Sequence, residues 1–240
     1  MFLYPAPRAT TYFSLPTLAR GEKNNLGKPR RGDSNYVATF INDDESKDSM
    51  INKKAFQEMR EQMEKFDSLR EQLIIQSRTV LKSSKQAIYA AHRGDMKEAD
   101  KLLEEAKSTI KKNDVLVKKD VHLANVGAYS EGLEEYTEAS CYVHYLKTGQ
   151  IPTPKELGVD ADTYLPALSD VIGELVRKAI NSAIQGDYDK ALAIKFIAGE
   201  LYEELMLFDW RNSPARKKFD AIKYGLEKLE DLALKIKFKK

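Results

Sequence analysis

Apolar residues recur at steps of three and four positions along most of the chain after about residue 51. Over residues 51–92 the apolar stripe consists of Phe56, Met59, Met63, Phe66, Leu69, Leu73, Val80, Leu81 and Ile88. Because an α-helix turns about 100° per residue, this spacing places those side chains on one face. The pattern predicts a long amphipathic helix over residues 51–92, and the segment His92-Arg93-Gly94-Asp95 predicts its end.

Turn-forming residues divide the rest of the chain into shorter helical segments. We predict these helices over about 96–112, 114–147, 161–185, 187–208 and 214–236. Asp95 suits the N-cap of the first of them, and Ser213 before Pro214 suits the start of the last. Residues 151–154 contain two prolines and predict a linker. Since the sequence lacks the period-two alternation typical of strands, the predicted fold class is all-α.

Residues 1–49 have a different composition, with prolines, glycines and scattered charge but no helical period. This composition predicts disorder. The first 21 residues contain no acidic residue but include Arg8 and Arg20, which resembles an organelle transit peptide. A plain extension and a true translation start at Met50 are the alternatives. The predicted organisation is therefore a disordered or mis-assigned extension over 1–49 and a helical domain over 50–240.

Charge and cysteine content limit the function classes. The chain has 39 Lys and Arg against 37 Asp and Glu, which gives a formal net charge of +2. A uniformly basic nucleic-acid coat is excluded, but local basic faces are compatible with this balance. The single cysteine, Cys141, excludes an intrachain disulfide and favours a reducing compartment, so we expect a cytoplasmic protein. No run of about 18 apolar residues predicts a membrane span.

Acidic residues in two predicted helices are the first candidates for chemistry. Glu131, Glu135 and Glu138 share one face of the helix over 114–147. Asp170 and Glu174, four residues apart, share a face of the next helix. Carboxylate oxygens are the ligands that Mg²⁺ prefers, and a cation would offset the repulsion between them. The alternative is a solvated surface, because the apolar stripe of the second helix points away from these two carboxylates.

Basic residues on the first helix are candidates for nucleic-acid phosphates. They are Arg70, Arg78, Lys82, Lys85 and Arg93. Lys217, Lys218 and Lys223 in the last helix could add to them. Such faces bind the phosphate backbone with a strong dependence on salt, although a solvated surface would look the same in sequence.

The histidines and the cysteine give weaker signals. Cys141 and His144, three residues apart, form neither a zinc site nor a convincing catalytic pair. His92 and His122 have no companion at ligand spacing, so we interpret both as structural.

Three segments resemble a known family. Residues 132–139, Gly-Leu-Glu-Glu-Tyr-Thr-Glu-Ala, are similar to the G-L-Q-E-Y-x-E-A segment of translin-associated factor X. Residues 168–175, Leu-Ser-Asp-Val-Ile-Gly-Glu-Leu, resemble the A-D-L-x-G-E-L segment shared by translin and its partner. Asn212-Ser213-Pro214 followed by Lys217-Lys218 is similar to a third family segment. The chain thus resembles the translin and translin-associated factor X family over about residues 55–236, and its short linker at 149–162 resembles archaeal members of the factor-X branch.

The resemblance implies a fold and an activity. The fold would be a seven-helix α-α superhelix that assembles into a closed, hollow octamer binding single-stranded RNA or DNA. In the factor-X branch, interior carboxylates bind Mg²⁺ and cleave RNA. The matching positions here are Glu135, Glu138, Asp170 and Glu174. Mn²⁺ is the alternative ion, and Arg78 is a candidate to position the strand.

Two alternatives to a magnesium-dependent endoribonuclease stay open. One is a non-catalytic, translin-like ring that binds single strands, and the other is a helical scaffold with no nucleic-acid role. Self-association into a homo-oligomer and co-assembly with a translin-like partner are both compatible with the sequence. Glu134 stands where the family often has glutamine, so basic residues must offset one additional negative charge beside the site.

Overall fold

The structure, a computed structural model, describes residues 51–239. Within these residues the chain folds into helices and contains no strand. The α-helices are α1 (Lys53–His92), α2 (Met96–Lys119), α3 (Gly127–Thr148), α4 (Pro154–Leu157), α5 (Ala161–Ile184), α6 (Tyr188–Met206) and α7 (Pro214–Lys239). A short 3₁₀-helix, Val121–Asn125, precedes α3. The predicted all-α class is therefore confirmed, whereas the predicted extension over 1–49 lies outside the described residues.

Capping residues explain where most helices begin. The carboxylates of Asp95 and Asp187 accept hydrogen bonds from the third residue of α2 and of α6. Ser213 accepts a hydrogen bond from the backbone N–H of Arg216, and Pro214 opens α7. Helix α3 ends at Gly149, whose φ of 76° lies in the left-handed region. These local signals confirm the starts predicted for α2, α6 and α7 and the predicted end of α3.

The predicted break between residues 112 and 114 is wrong. Helix α2 continues through Asn113, which is buried and donates a hydrogen bond from Nδ2 to Ser77 Oγ of α1 at 3.2 Å. The chain breaks instead at Asp120, whose carboxylate accepts from the backbone N–H of His122 at 3.0 Å. The predicted linker at 151–154 is also partly helical, because Thr153 and Glu156 form a capping box that opens α4.

The main core lies among α1, α2, α3, α5, α6 and α7. Its fully buried side chains include Tyr142 of α3, Leu175 of α5, Ile194 of α6 and Leu229 of α7. Helices α1 and α3 approach closely at Gly132, where an added Cβ would lie 3.1 Å from the carbonyl oxygen of Ser77. This contact limits how far apart α1 and α3 can lie at this point.

The two ends of α1 differ in burial. Its buried side chains begin at Leu73, and from there to Ala91 they pack against α2 and α3. Residues 53–65 are exposed except for the half-buried Ala55. Phe56, Met59 and Met63 extend the predicted apolar stripe into this exposed end. No helix within residues 51–239 combines the length and the hydropathy that crossing a membrane requires.

Candidate functional site

A cavity of about 690 Å³ lies among α1, α3, α5 and α7. All four carboxylates predicted from the sequence line it, namely Glu135 and Glu138 from α3 and Asp170 and Glu174 from α5. Lys85 of α1 and Lys217 and Lys218 of α7 line the same cavity. The two acidic segments, separate in sequence, therefore meet at one place in the fold, while the role of their residues stays a prediction.

Three of the four carboxylates have a cationic or imidazole partner. The Nζ atom of Lys85 lies 3.6 Å from Oε2 of Glu135. Lys218 Nζ lies 2.6 Å from Oδ2 of Asp170 and also contacts Glu134. The Nε2 atom of His92 lies 2.5 Å from Oε2 of Glu174.

Glu138 differs from the other three carboxylates. Its side chain is buried, and it makes no ion pair or hydrogen bond within residues 51–239. Burial, together with the negative charges of Glu135, Asp170 and Glu174, raises its pKa to about 9. Glu138 therefore holds a proton at neutral pH unless a further cation enters the cavity.

Burial and neighbouring charges also change the pKa values of Asp170 and Glu135. Burial raises the pKa of Asp170 to about 6, with a contribution from the charge of Glu135. Burial also raises the pKa of Glu135, and the positive charge of Lys85 opposes that effect. The three carboxylates and the burial of the cavity therefore oppose ionisation of Glu138, even with the lysines nearby.

The donor atoms suit a hard divalent cation. Mg²⁺ binds carboxylate oxygens, often through only one or two protein ligands with water in the other positions. Across the described part of the chain, no three Asp, Glu, His or Cys side chains already have the spacing of a metal site. The oxygen donors therefore fit such an ion chemically, but Lys218 and Lys85 occupy the positions beside them and would have to move.

The predicted basic residues of α1 lie in different places. Lys85 lines the cavity, whereas Arg70 donates to the adjacent Glu71 on the outer surface at 3.0 Å. Arg78 and Lys82 are exposed and precede Lys85 by about two turns and one turn on the same face. Arg93 is the C-cap residue of α1 and does not line the cavity. The structure therefore brings only Lys85 of this set to the carboxylates.

Two side chains at the edge of the cavity were not predicted. Tyr89 lines it and is 51% exposed. The guanidinium of Arg177 stacks on the Tyr89 ring at 5.1 Å and lies 3.7 Å from Oε2 of Glu174. Tyr89 lies one helical turn after Lys85, and this spacing was the available sequence signal.

His92, predicted to be structural, is buried and makes two long-range contacts that the sequence did not indicate. Its ring lies between Glu174 and the hydroxyl of Tyr142, which are 82 and 50 residues away in sequence. Spacing along a single helix cannot reveal partners at such separations.

The interpretation of Cys141 agrees with the structure, because burial raises the pKa of its thiol to about 12 and keeps it unreactive at neutral pH.

Comparisons with known proteins agree with this architecture. The family model described as Translin family matches residues 68–240. Translin of Gallus gallus is 30% identical over 114 residues, which is 42% of this chain and half the length of that protein. Translin-associated protein X of Mus musculus is 24% identical over 226 residues, covering 76% of this chain and 77% of that protein.

Solved structures support the same fold. The crystal structure of apo-NeC3PO superposes with a TM-score of 0.70 at 30% identity, covering 78% of this chain and 98% of that one. The structure of an AfC3PO–duplex RNA complex superposes with the same TM-score and coverage at 24% identity, a likeness that concerns the fold alone. The predicted seven-helix fold is confirmed by these likenesses.

Proposed function

The chain belongs to the translin family, and on that premise we propose that it binds single-stranded nucleic acid and cleaves RNA in the acidic cavity with the help of a divalent cation. The observation that carries this proposal is the convergence of four carboxylates from α3 and α5 in one cavity beside three lysines. On an ordinary solvated helix face the carboxylates point into water. The carboxyl group of Glu138 is instead buried and has no partner within residues 51–239, which a solvated face does not explain.

Glu135, Glu138, Asp170 and Glu174 would hold Mg²⁺, with Mn²⁺ as the alternative ion. When bound, such an ion supplies a Lewis acid that polarises a phosphodiester and lowers the pKa of a water molecule. The raised pKa of Glu138 supports this assignment, because a cation would stabilise the carboxylate that burial disfavours.

The basic residues of the cavity would bring the phosphate backbone to the carboxylates. Lys85 and Lys217 lie at its wall, and Arg78 and Lys82 extend the positive charge along α1. The exposed ring of Tyr89 offers a surface on which an unpaired base can stack. Because bases in a duplex already stack on one another, this arrangement favours single strands.

Self-association is part of the proposal. Several large apolar side chains on α6 and α7 are exposed, among them Phe196, Met206 and Phe238. Exposed apolar surface favours burial against another copy of the chain or against a translin-like partner. We propose a homo-oligomer, with the octamer as the expected form, and a location in the cytoplasm. The mass of the native protein measures the number of subunits.

The direct test uses a labelled, unpaired oligoribonucleotide incubated with the full chain, with Mg²⁺ or with a chelator. We expect products only with Mg²⁺, and we expect Glu138→Gln to abolish them while RNA binding persists. Glu105→Gln, which makes the same substitution at an exposed position on α2, serves as the control. If the wild-type chain binds RNA but never cuts it, the chain is a non-catalytic binding protein. If it does not bind RNA at all, a scaffold role replaces both nucleic-acid functions.

A further inference from the structure

His92 connects three helices through its two ring nitrogens. It is the last residue of α1, and its side chain is only 6% exposed. Its Nε2 atom lies 2.5 Å from Oε2 of Glu174 on α5, and its Nδ1 atom lies 3.0 Å from the hydroxyl of Tyr142 on α3. The rings of His92 and Tyr142 also pack together, with centroids 4.9 Å apart. Both polar atoms of this buried ring are therefore in use.

The hydrogen-bonding capacities of the three groups set the direction of these contacts. A carboxylate can only accept hydrogen bonds, so Nε2 of His92 carries the hydrogen and donates it to Glu174. Burial raises the pKa of the Tyr142 hydroxyl well above its ordinary value, which keeps that hydroxyl protonated and able to donate. Tyr142 then donates to Nδ1, and this contact holds the ring in the orientation that directs Nε2–H at Glu174.

The contacts of Glu174 are confined to one of its two oxygens. His92 and Arg177 both approach Oε2, at 2.5 and 3.7 Å. Within residues 51–239, Oε1 has no hydrogen-bond or ion-pair partner. Since Glu174 also lines the cavity, one oxygen is fixed by the protein and the other is available to a ligand there.

We propose that His92, oriented by Tyr142, is a positioning residue that holds Glu174 so that its Oε1 atom can bind a divalent cation in the cavity. This inference rests on the proposed function, because it takes the cavity to be a cation site. Groups that hydrogen-bond to metal ligands commonly change metal affinity by about 10- to 100-fold when they are removed. His92 would be such a group even though it does not line the cavity itself.

The first experiment measures Mn²⁺ binding to the purified full chain by titration calorimetry. We expect His92→Leu to weaken binding by about tenfold or more. His92→Gln should recover most of the affinity, because its Nε2 amide can donate to Glu174. Tyr142→Phe should lose a few-fold, because the ring then loses the hydrogen bond that orients it. His144→Leu, at an exposed position on α3, should bind like the wild type.

The outcomes separate the two proposals. If the wild type binds Mn²⁺ and His92→Leu binds it equally well, the positioning role is wrong and the cation site stands. If the wild type does not bind Mn²⁺, both ideas are wrong. If binding depends on His92 but no variant cleaves RNA, the positioning role stands and the nuclease proposal is wrong.

A spectroscopic measurement keeps the inference testable if His92→Leu does not fold. The chain has only three histidines, so their ring ¹⁵N shifts can be assigned individually. In the metal-free wild type we expect the hydrogen of His92 on Nε2, and in Tyr142→Phe a changed Nδ1 shift, because Nδ1 loses its hydrogen-bond partner. An unchanged Nδ1 shift in Tyr142→Phe would overturn the assigned role of Tyr142.

Discussion

The ammonium group of Lys218 lies 2.6 Å from Oδ2 of Asp170 and also contacts the carboxylate of Glu134. One lysine from α7 thus neutralises carboxylates on both α3 and α5. Burial is the main cause that lowers its pKa, and nearby acidic charge opposes that effect. Lys218 is therefore an internal counter-ion at the place where we propose that a divalent cation binds.

Lys218→Met should lower stability without metal and raise the affinity for Mg²⁺. Loss of the ammonium leaves two carboxylates unpaired, which should cost about 1–2 kcal/mol at this partly exposed position. The added negative charge should tighten Mg²⁺ binding several-fold. Thermal unfolding with increasing Mg²⁺ measures both effects. The control is Lys217→Met, which removes a lysine of the same cavity that forms no ion pair with any residue of 51–239. Equal stabilisation of the two variants by Mg²⁺ would contradict a counter-ion role.

The raised pKa of Glu138 predicts how stability changes with pH in the absence of metal. Its folded-state pKa of about 9 exceeds the ordinary value of 4.5, so the folded chain holds a proton that the unfolded chain has already lost between these values. The contribution of the Glu138 carboxyl group to the free energy of unfolding is therefore fully present below about pH 4.5 and is lost as pH rises towards 9. Asp170 contributes in the same direction between 3.8 and about 6.

Glu138→Gln should remove most of that pH dependence. At pH 8 with a chelator present we expect the variant to be more stable than the wild type by about 1–3 kcal/mol, since a tenfold change in proton affinity corresponds to about 1.4 kcal/mol. Denaturant unfolding between pH 5 and 9 measures the difference, and Glu105→Gln should leave the wild-type slope unchanged. Parallel curves for wild type and Glu138→Gln would show that Glu138 is ionised in the folded chain.

The close approach of α1 and α3 predicts that Gly132 cannot be enlarged without cost. The Cβ of alanine would meet the backbone carbonyl of Ser77 at 3.1 Å, so the helices would have to separate. We expect Gly132→Ala to lower the free energy of unfolding by about 1–3 kcal/mol. Gly199→Ala is the matched control, because it lies inside α6 with open space around its Cβ and should be neutral or stabilising by up to about 1 kcal/mol. Equal effects of both substitutions would mean that the contact does not constrain the fold.

Arg78 and Lys82 should contribute to RNA binding through phosphate contacts alone. Each alanine substitution should weaken binding of unrelated single strands by a similar factor and should reduce the slope of log K against log salt by about one. Fluorescence anisotropy at several salt concentrations with a chelator present measures this slope. Lys107→Ala, at an exposed position on α2, should keep the wild-type slope. If the slope is also unchanged in Arg78→Ala and Lys82→Ala, α1 is not the phosphate-binding face.

Helix starts could be predicted from sequence because their causes are local. Asp95 and Ser213 accept hydrogen bonds from residues three positions further along, which a sequence pattern can show. The misplaced break near Asn113 has a different origin. A polar residue between two helical segments looked like a boundary, but its side chain binds Ser77, 36 residues away, inside the fold.

The difference between local and long-range contacts also explains which parts of the site could be predicted from the sequence. Glu135 with Glu138, and Asp170 with Glu174, were predictable because residues three or four apart share a helix face. Their partners come from other helices, with Lys218 lying 48 residues after Asp170 and His92 lying 82 residues before Glu174. No periodicity connects such positions, so these contacts required the folded structure.

The uneven burial along α1 implies that one continuous helix contains two levels of local stability. The exposed turns over residues 53–65 are held by little beyond their own backbone hydrogen bonds and the Asn52 cap. An unsupported helix of this length is marginal in water. Amide hydrogens in these turns should therefore exchange with solvent orders of magnitude faster than those following Leu73, and a second chain covering Phe56, Met59 and Met63 would slow that exchange.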